Sequence, residues 1–435
     1  MNFVKALFRA SLASIMICIA VGSSSATYAI NLSDPAAGQG KIAARDNAFN
    51  PLGIHAGGFY FFPAAELGAS YNDNIYYVKD DTFESRFDKS DYIANLRSSV
   101  SMNSNWNRHE VNLLGSADLG RYDENTNEDY EDYVVAADGR YDVMRRSFAT
   151  GRAGYMRLHE SRSSLDDRFG KDPTEYDYWY LGAGYDHQPA RFRTLFTLDF
   201  EKLEFDNVTN IFDERVDNHD RDRGRTEAIL RLGYENKPNS RIFIQGAVNS
   251  VDYDQRRDNL GQERSSDGYK ITAGLNLNLT HLLVGDIFAG YMEQDYDDSG
   301  FDDISALLVG FHLTWTPTML TTVDLNLDRT SQETTEPDAG GYLSTVFTAR
   351  VEHELRRNIM LFGNFGYIDN QYEQSNAPQQ RKGSEDVISV GLGGKYQFSR
   401  RFYATAEYRY QERSSDISSQ DYENNQVLLN LGANW

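Results

Sequence analysis

Alternation constrains this chain more than anything else in it. Phe192, Thr194, Phe196, Leu198 and Phe200 alternate with Arg193, Leu195, Thr197, Asp199 and Glu201. Tyr269, Ile271, Ala273 and Leu275 alternate with Lys270, Thr272, Gly274 and Asn276. A period of two is the period of a β-strand. From Gly57 onward such runs fill the sequence, each roughly 12 to 16 residues, longer than most strands of soluble sheets. The last one ends the chain. Val427, Leu429, Leu431, Ala433 and Trp435 lie on one face, and Gln426, Leu428, Asn430, Gly432 and Asn434 on the other. In water a terminal strand with one apolar face is an aggregation hazard. It makes sense if that face meets lipid and the strand pairs with the first one to close a barrel. Trp435 is then the barrel-closure residue.

The beginning of the chain sets the compartment. Lys5 and Arg9 precede an apolar run from Leu12 to Val21, and small residues follow up to Ala29. This pattern predicts a signal peptide over residues 1–29, and the run is too short to anchor the chain. Cys18, the only cysteine, falls inside that run, so the mature chain has no disulfide or thiolate chemistry. It lacks the small preceding residue of a lipidated cysteine. Residues 30–56 have no clear period and carry Pro35 and Pro51. They are read as a short, flexible periplasmic lead-in, with the barrel over 57–435. Beyond the signal peptide there is no apolar run of ~18 residues, hence no transmembrane helix. Removing Lys5 and Arg9 from the 43 basic residues leaves 41 against 65 acidic ones, a formal charge of −24. Nucleic acid, which needs a basic surface, is excluded as a partner. The expected partners are outer-membrane lipid and the barrel assembly machinery, and the location is the outer membrane of a Gram-negative bacterium.

Turn chemistry sets the strand count. Eight short turns, among them Met144–Ser147, Pro189–Arg191 and Ser399–Arg401, separate nine longer polar loops, among them Asp123–Asp129, Ser161–Thr174 and Asp206–Asp222. These 17 connections imply about 18 strands, with 16 the alternative. The fold class is all-β, a transmembrane antiparallel up-and-down barrel. An even count puts both termini and the short turns on the periplasmic side. Nothing marks one loop as folding inward, and the loops are only ~14 to 17 residues long, which favours a wide opening.

In a barrel the inward positions carry function, and here they are charged. In the first strands they are Glu66, Arg97, Asp138 and Arg140, followed by Arg193, Asp199, Glu201, Arg225, Glu227 and Arg231. Further on come Lys270, Asp324, Arg350 and Glu352, and finally Lys395, Glu407 and Arg409. So many charges are costly to bury dry, and a ring of about 18 strands leaves an aqueous lumen. They are therefore read as lining a water-filled channel, although pairs across strands also brace a wall. Tyr60, Tyr178, Tyr180 and Tyr403 point inward and could stack on sugar rings. The histidines are scattered and lack a catalytic spacing, so no enzyme is expected. The Asp295–Asp303 stretch lacks an EF-hand pattern, and neither metal nor cofactor is expected.

The first strand carries a family resemblance. Phe61-Phe62-Pro63-Ala64-Ala65-Glu66-Leu67-Gly68 leads into Tyr71-Asn72-Asp73-Asn74. This resembles the opening of the "Putative beta-barrel porin 2" family of outer-membrane proteins, with Asn72 standing where an Asp is usual. The terminal strand ending in Trp435 is similar to those that end bacterial outer-membrane barrels. The resemblance covers residues 57–435. It implies an export port for capsular or exopolysaccharide, working with periplasmic export machinery, and carries no residue-level substrate site. A diffusion porin for small solutes and a structural or adhesive surface barrel are the alternatives.

Overall fold

The computed structural model describes residues 49–80, 89–237, 240–279, 282–336, 339–372 and 383–435, so the predicted signal peptide lies outside the described residues. Eighteen long strands form one closed antiparallel barrel. In chain order they are β1 (Phe59–Asn72), β2 (Asp91–Ser104), β3 (Glu110–Tyr122), β4 (Tyr130–Met144), β5 (Ser147–His159) and β6 (Glu175–His187). β7 (Phe192–Phe205), β8 (Arg223–Lys237), β9 (Ser240–Tyr253), β10 (Ser266–Leu279), β11 (Leu283–Tyr296) and β12 (Ile304–Thr318) follow. β13 (Thr321–Glu333), β14 (Gly341–Arg356), β15 (Ile359–Tyr372), β16 (Ser384–Gln397), β17 (Phe402–Ser415) and β18 (Tyr422–Asn434) complete the ring. Each strand pairs with its sequence neighbour, as the turn count requires.

The burial pattern is inverted relative to a soluble protein. On β18, Val427, Leu429 and Leu431 are exposed while Leu428 and Asn424 are buried. The same holds for Phe196, Leu198 and Phe200 on β7. An apolar face this extensive, turned outward around the whole ring, is what a lipid surround accommodates. Tyr71, Tyr133, Trp315, Tyr396 and Trp435 are exposed on this outer surface. Tyr155 packs against Trp179, tilted by 38° with 4.2 Å between ring centroids.

Closure is made by β1 and β18, in register from Ala64↔Asn434 to Asn72↔Gln426. Below the end of β18 the edge of β1 would be left open. Two groups cover it. The Trp435 N–H donates to the Pro63 carbonyl at 3.1 Å. The short strand Ile54–Ala56, the last part of the expected lead-in, turns back through Gly57 (φ 59) and pairs with Phe59–Phe61. Deleting Trp435 removes that hydrogen bond and an interfacial aromatic together. Less of the protein should then run as the folded, heat-modifiable species on a gel. Wild-type amounts of that species would contradict the role given to this residue.

Candidate functional site

Alternation places every charged residue expected in the channel on the inner face, and the ladders bring them together. On β1 to β3, Arg97 sits between Glu66 at 3.5 Å and Asp118 at 2.8 Å. Glu66 also accepts the Tyr403 hydroxyl at 3.1 Å, and the Lys395 ammonium lies 3.8 Å from the centre of the Tyr403 ring. Asp138 accepts from Asn112 at 3.0 Å, and Arg140 pairs with Asp142 at 3.1 Å. Asp199 pairs with Arg152 at 2.8 Å, and Arg225 with Glu227 at 3.3 Å beside Glu201. Arg231 donates to Gln245 at 2.7 Å and meets Asp286 at 3.3 Å. Asp324 accepts from Thr314 at 2.6 Å, Arg350 pairs with Glu352 at 2.6 Å, and Arg409 with Glu407 at 2.9 Å. Lys270 donates to Thr330 at 2.8 Å. Many of these side chains keep a solvent-accessible face, as in the Arg97 side chain, which is 31% exposed.

Two of the expected channel residues are buried: Asp199, 6% exposed against Arg152, and Arg193. Arg193 grips Asp186 through Nε at 2.9 and 3.1 Å, and these two side chains are only 4% and 3% exposed. The expectation that Asp199 and Arg193 line water is corrected: Arg193 braces the wall near the short-turn end. Breaking a buried pair by removing one partner costs about 3–5 kcal/mol, because the remaining charge loses its compensation. Arg193→Ala should therefore lower the temperature at which the barrel unfolds on a gel and leave conductance nearly unchanged. An unchanged melting midpoint would refute the bracing role.

The outer mouth departs most from expectation. The loop joining β5 to β6, residues 160–174, does not lie outside. Glu160, Arg162, Ser163, Ser164, Asp166, Asp167 and Thr174 are all buried. Arg162 holds Glu128 at 2.7 and 2.9 Å, and Arg221 holds Glu160 at 2.9 Å through one nitrogen and 2.5 Å through another. Arg168 reaches the Asp217 carbonyl at 2.6 Å and Asp220 at 2.9 Å. Asp166 accepts from Thr334 at 2.8 Å, and the Ser163 carbonyl accepts from Arg413 of β17 at 3.2 Å. Leu165 packs with Ala339 against Tyr342 and Tyr372. Those tyrosines belong to β14 and β15, nine strands on from β5 and β6 in a ring of eighteen. The loop thus spans the mouth to the opposite wall. The wide opening expected from loop length is corrected, because length does not report direction.

This loop carries its own electrostatics. Burial disfavours the charge on Arg162, but Asp167 and Glu128 outweigh it and the pKa is raised. Burial pushes the Asp167 carboxyl up to about 7, against the opposing pull of Arg162. The wall strands beneath the loop cover aromatic surface of their own. Tyr178 is 1% exposed, packed among Val134, Met156 and Leu158, with Tyr180 beside it. The ring face that sugar stacking needs at Tyr178 is therefore covered, whereas Tyr60 and Tyr180 are half-buried.

Sequence reading missed the latch residues Glu128, Glu160, Arg162 and Arg221, together with Arg152 and Asp286 on the wall. His159 and His219 approach Asp132 at 2.9 Å and Asp222 at 3.0 Å. Among the described residues no group of three or more His, Asp or Glu gathers to hold a metal ion.

No curated protein matches the sequence. Solved structures are similar in outline only. The outer membrane protein OpdK from Pseudomonas aeruginosa has 11% identity and a TM-score of 0.44, covering 86% of this chain and 98% of that one. OccK3 (OpdO) from the same organism has 11% identity and a TM-score of 0.42, covering 86% and 96%. The siderophore receptor PirA from Pseudomonas aeruginosa has 8% identity and a TM-score of 0.42, covering 85% and 80%. The family assignment rests on the sequence itself, since one family description accounts for residues 47–434: the chain belongs to the "Putative beta-barrel porin 2" family and is a porin-like outer-membrane β-barrel.

Proposed function

We propose that this barrel is a gated diffusion channel for small hydrophilic solutes. Its route is the charged, water-filled lumen. Its gate is the 160–174 span, latched by Arg162–Glu128 and Arg221–Glu160. The observation that carries this reading is the burial of that loop across the mouth, above a wall whose charges stay accessible. The reading includes no catalytic step. Outer-membrane lipid around the apolar belt and the assembly machinery are its partners.

An export port for capsular or exopolysaccharide, served by periplasmic machinery, is the second reading. The carboxylates, amides and phenols of the wall suit sugar hydroxyls. A polymer, however, requires the whole 160–174 span to leave the lumen.

Proteoliposome swelling with sugars of graded size separates the two. A channel gated by the loop should pass monosaccharides slowly, pass them faster once the latch is weakened, and exclude long oligosaccharides throughout. Passage of long oligosaccharides by the unmodified barrel would overturn the small-solute reading in favour of export.

A further inference from the structure

The inner wall from β14 to β17 carries one pattern in two neighbouring rows. The first row runs Glu352↔Phe362, Phe362↔Gly393 and Gly393↔Glu407 across the four strands. The second, two residues along each strand, runs Arg350↔Asn364, Asn364↔Gly391 and Gly391↔Arg409. Both rows face the lumen, since Val351, Leu361, Leu392 and Tyr408 beside them are exposed on the lipid side. Each flank ends in an arginine–carboxylate pair, Arg350–Glu352 at 2.6 Å and Arg409–Glu407 at 2.9 Å. The middle is low, because β16 brings only glycines to it.

Phe362 floors this middle. A Cβ on Gly393 would collide with the end of the Phe362 ring, so the ring leans over that glycine. The Glu407 carboxylate and the Asn364 side chain close in on Gly391 in the same way. Other inward rings laid against glycines are capped by cations. The Arg231 guanidinium stands 4.4 Å from the centre of the Phe243 ring, and the Lys395 ammonium 3.8 Å from that of Tyr403. Phe362 is half-buried, and among the described residues no cation or second ring stands over it.

The flanks are accessible as well. The side chains of Arg350 and Glu352 are 24% and 33% exposed, and that of Arg409 is 29% exposed. Both bonds from Arg350 end on the Glu352 Oε1, at 2.9 and 2.6 Å, so Oε2 keeps its accepting capacity. Neighbouring strands lie about 4.8 Å apart, which puts β14 and β17 roughly 14 Å apart, wide enough for one six-membered ring between the flanking side chains. An occupant must lay an apolar face on the phenyl ring. Its edge must also donate to carboxylates and accept from guanidinium groups. A pyranose does both, with C–H bonds on its face and hydroxyls around its rim. A linear polyol has the hydroxyls but no fixed face.

We infer that this bay on β14 to β17 is a subsite for a neutral hexopyranose, its face on Phe362 and its hydroxyls between Glu352 and Arg409. The subsite rests on the reading of the barrel as a solute channel and names the class of solute. It lies in the short-turn half of the wall, three residues into β15, away from the loop that docks on Tyr342 and Tyr372.

The test reads binding rather than flux. Saturation-transfer NMR is recorded on the full-length barrel in deuterated detergent micelles, with glucose as probe and open-chain sorbitol as control. The glucose signal should saturate with concentration and exceed that of sorbitol severalfold. Phe362→Leu keeps apolar bulk but loses the ring face, so it should lower the glucose signal severalfold, whereas Phe362→Tyr should retain it. Glu352→Ala, at an accessible side chain, should also lower it severalfold, and it decides the matter alone if Phe362→Leu does not assemble. Heat-modifiable migration checks folding. If the pair only braces the wall, Glu352→Ala moves the melting midpoint and leaves the glucose signal unchanged, which would overturn the inference. So would the absence of a saturable glucose signal, or equal signals from sorbitol or from Phe362→Leu. Conductance without the glucose signal sinks the subsite and spares the channel. The glucose signal in a barrel that never conducts does the reverse.

Discussion

Arg162→Ala should turn a mostly closed channel into a mostly open one. Arg162 and Glu128 are 5% and 4% exposed, and the guanidinium meets the carboxylate through two nitrogens at 2.7 and 2.9 Å. Removing one partner of such a buried pair costs about 3–5 kcal/mol. The barrel does not depend on this pair, because its ladders close without it. The cost therefore falls on the closed position of the loop. At about 1.4 kcal/mol per tenfold, the open-to-closed ratio should rise by roughly two to three and a half orders of magnitude. Single-channel recording in a planar bilayer reads this directly, and the melting midpoint of the barrel should barely move. Arg162→Lys keeps the charge but loses the two-point grip, so it should lie between the two. Identical open probability in wild type and Arg162→Ala would sink the gate.

The barrel was legible because one physical rule applies to every strand. Lipid on one side and a polar lumen on the other impose a two-residue period, and β7, β10 and β18 display it plainly. The same period put Glu66, Arg97, Arg231 and Arg409 on the correct face. It did not say how much room lies in front of them. Arg193 faces inward as expected, yet Asp186 and the wall seal it, and no local pattern encodes that depth. Arg152 escaped notice because the outward positions of β5 include Ala149, Gly151 and Ala153, so the alternation there is faint. The inward loop was hidden for a different reason. Its composition is that of any solvated loop, and its burial is decided by Thr334 and Arg413, 168 and 250 residues away from their partners in the loop. The local trace is slight: Leu165 is a lone apolar residue between serines and aspartates, and it is the one that docks on the far wall.

Opening should also depend on pH, with a sign fixed by Asp167. In the closed loop its carboxyl is 1% exposed and faces Arg162 at 3.5 Å, with Glu160, Arg221 and the Phe169 N–H around it. Burial is the largest influence and raises its pKa from 3.8 to about 7. A loop released into water returns the group to its ordinary value. Below about pH 4 both states carry the proton, and the preference for the closed state is complete. Between about 4 and 7 only the closed loop holds the proton, so each step up in pH weakens closure. Above about 7 both states are ionised and that contribution is gone. The arginines that face it do not titrate in this range. Open probability should therefore rise as the outer solution goes from pH 5 to pH 8, by an order of magnitude or more for a shift of this size. Asp167→Asn imitates the protonated side chain, so it should stay closed at pH 8 and lose the slope. Recording wild type and variant at both pH values, with Arg162→Ala as the unlatched reference, distinguishes this group from others in the lumen. If Asp167→Asn keeps the wild-type slope, the titrating group lies elsewhere and this account of the gate fails.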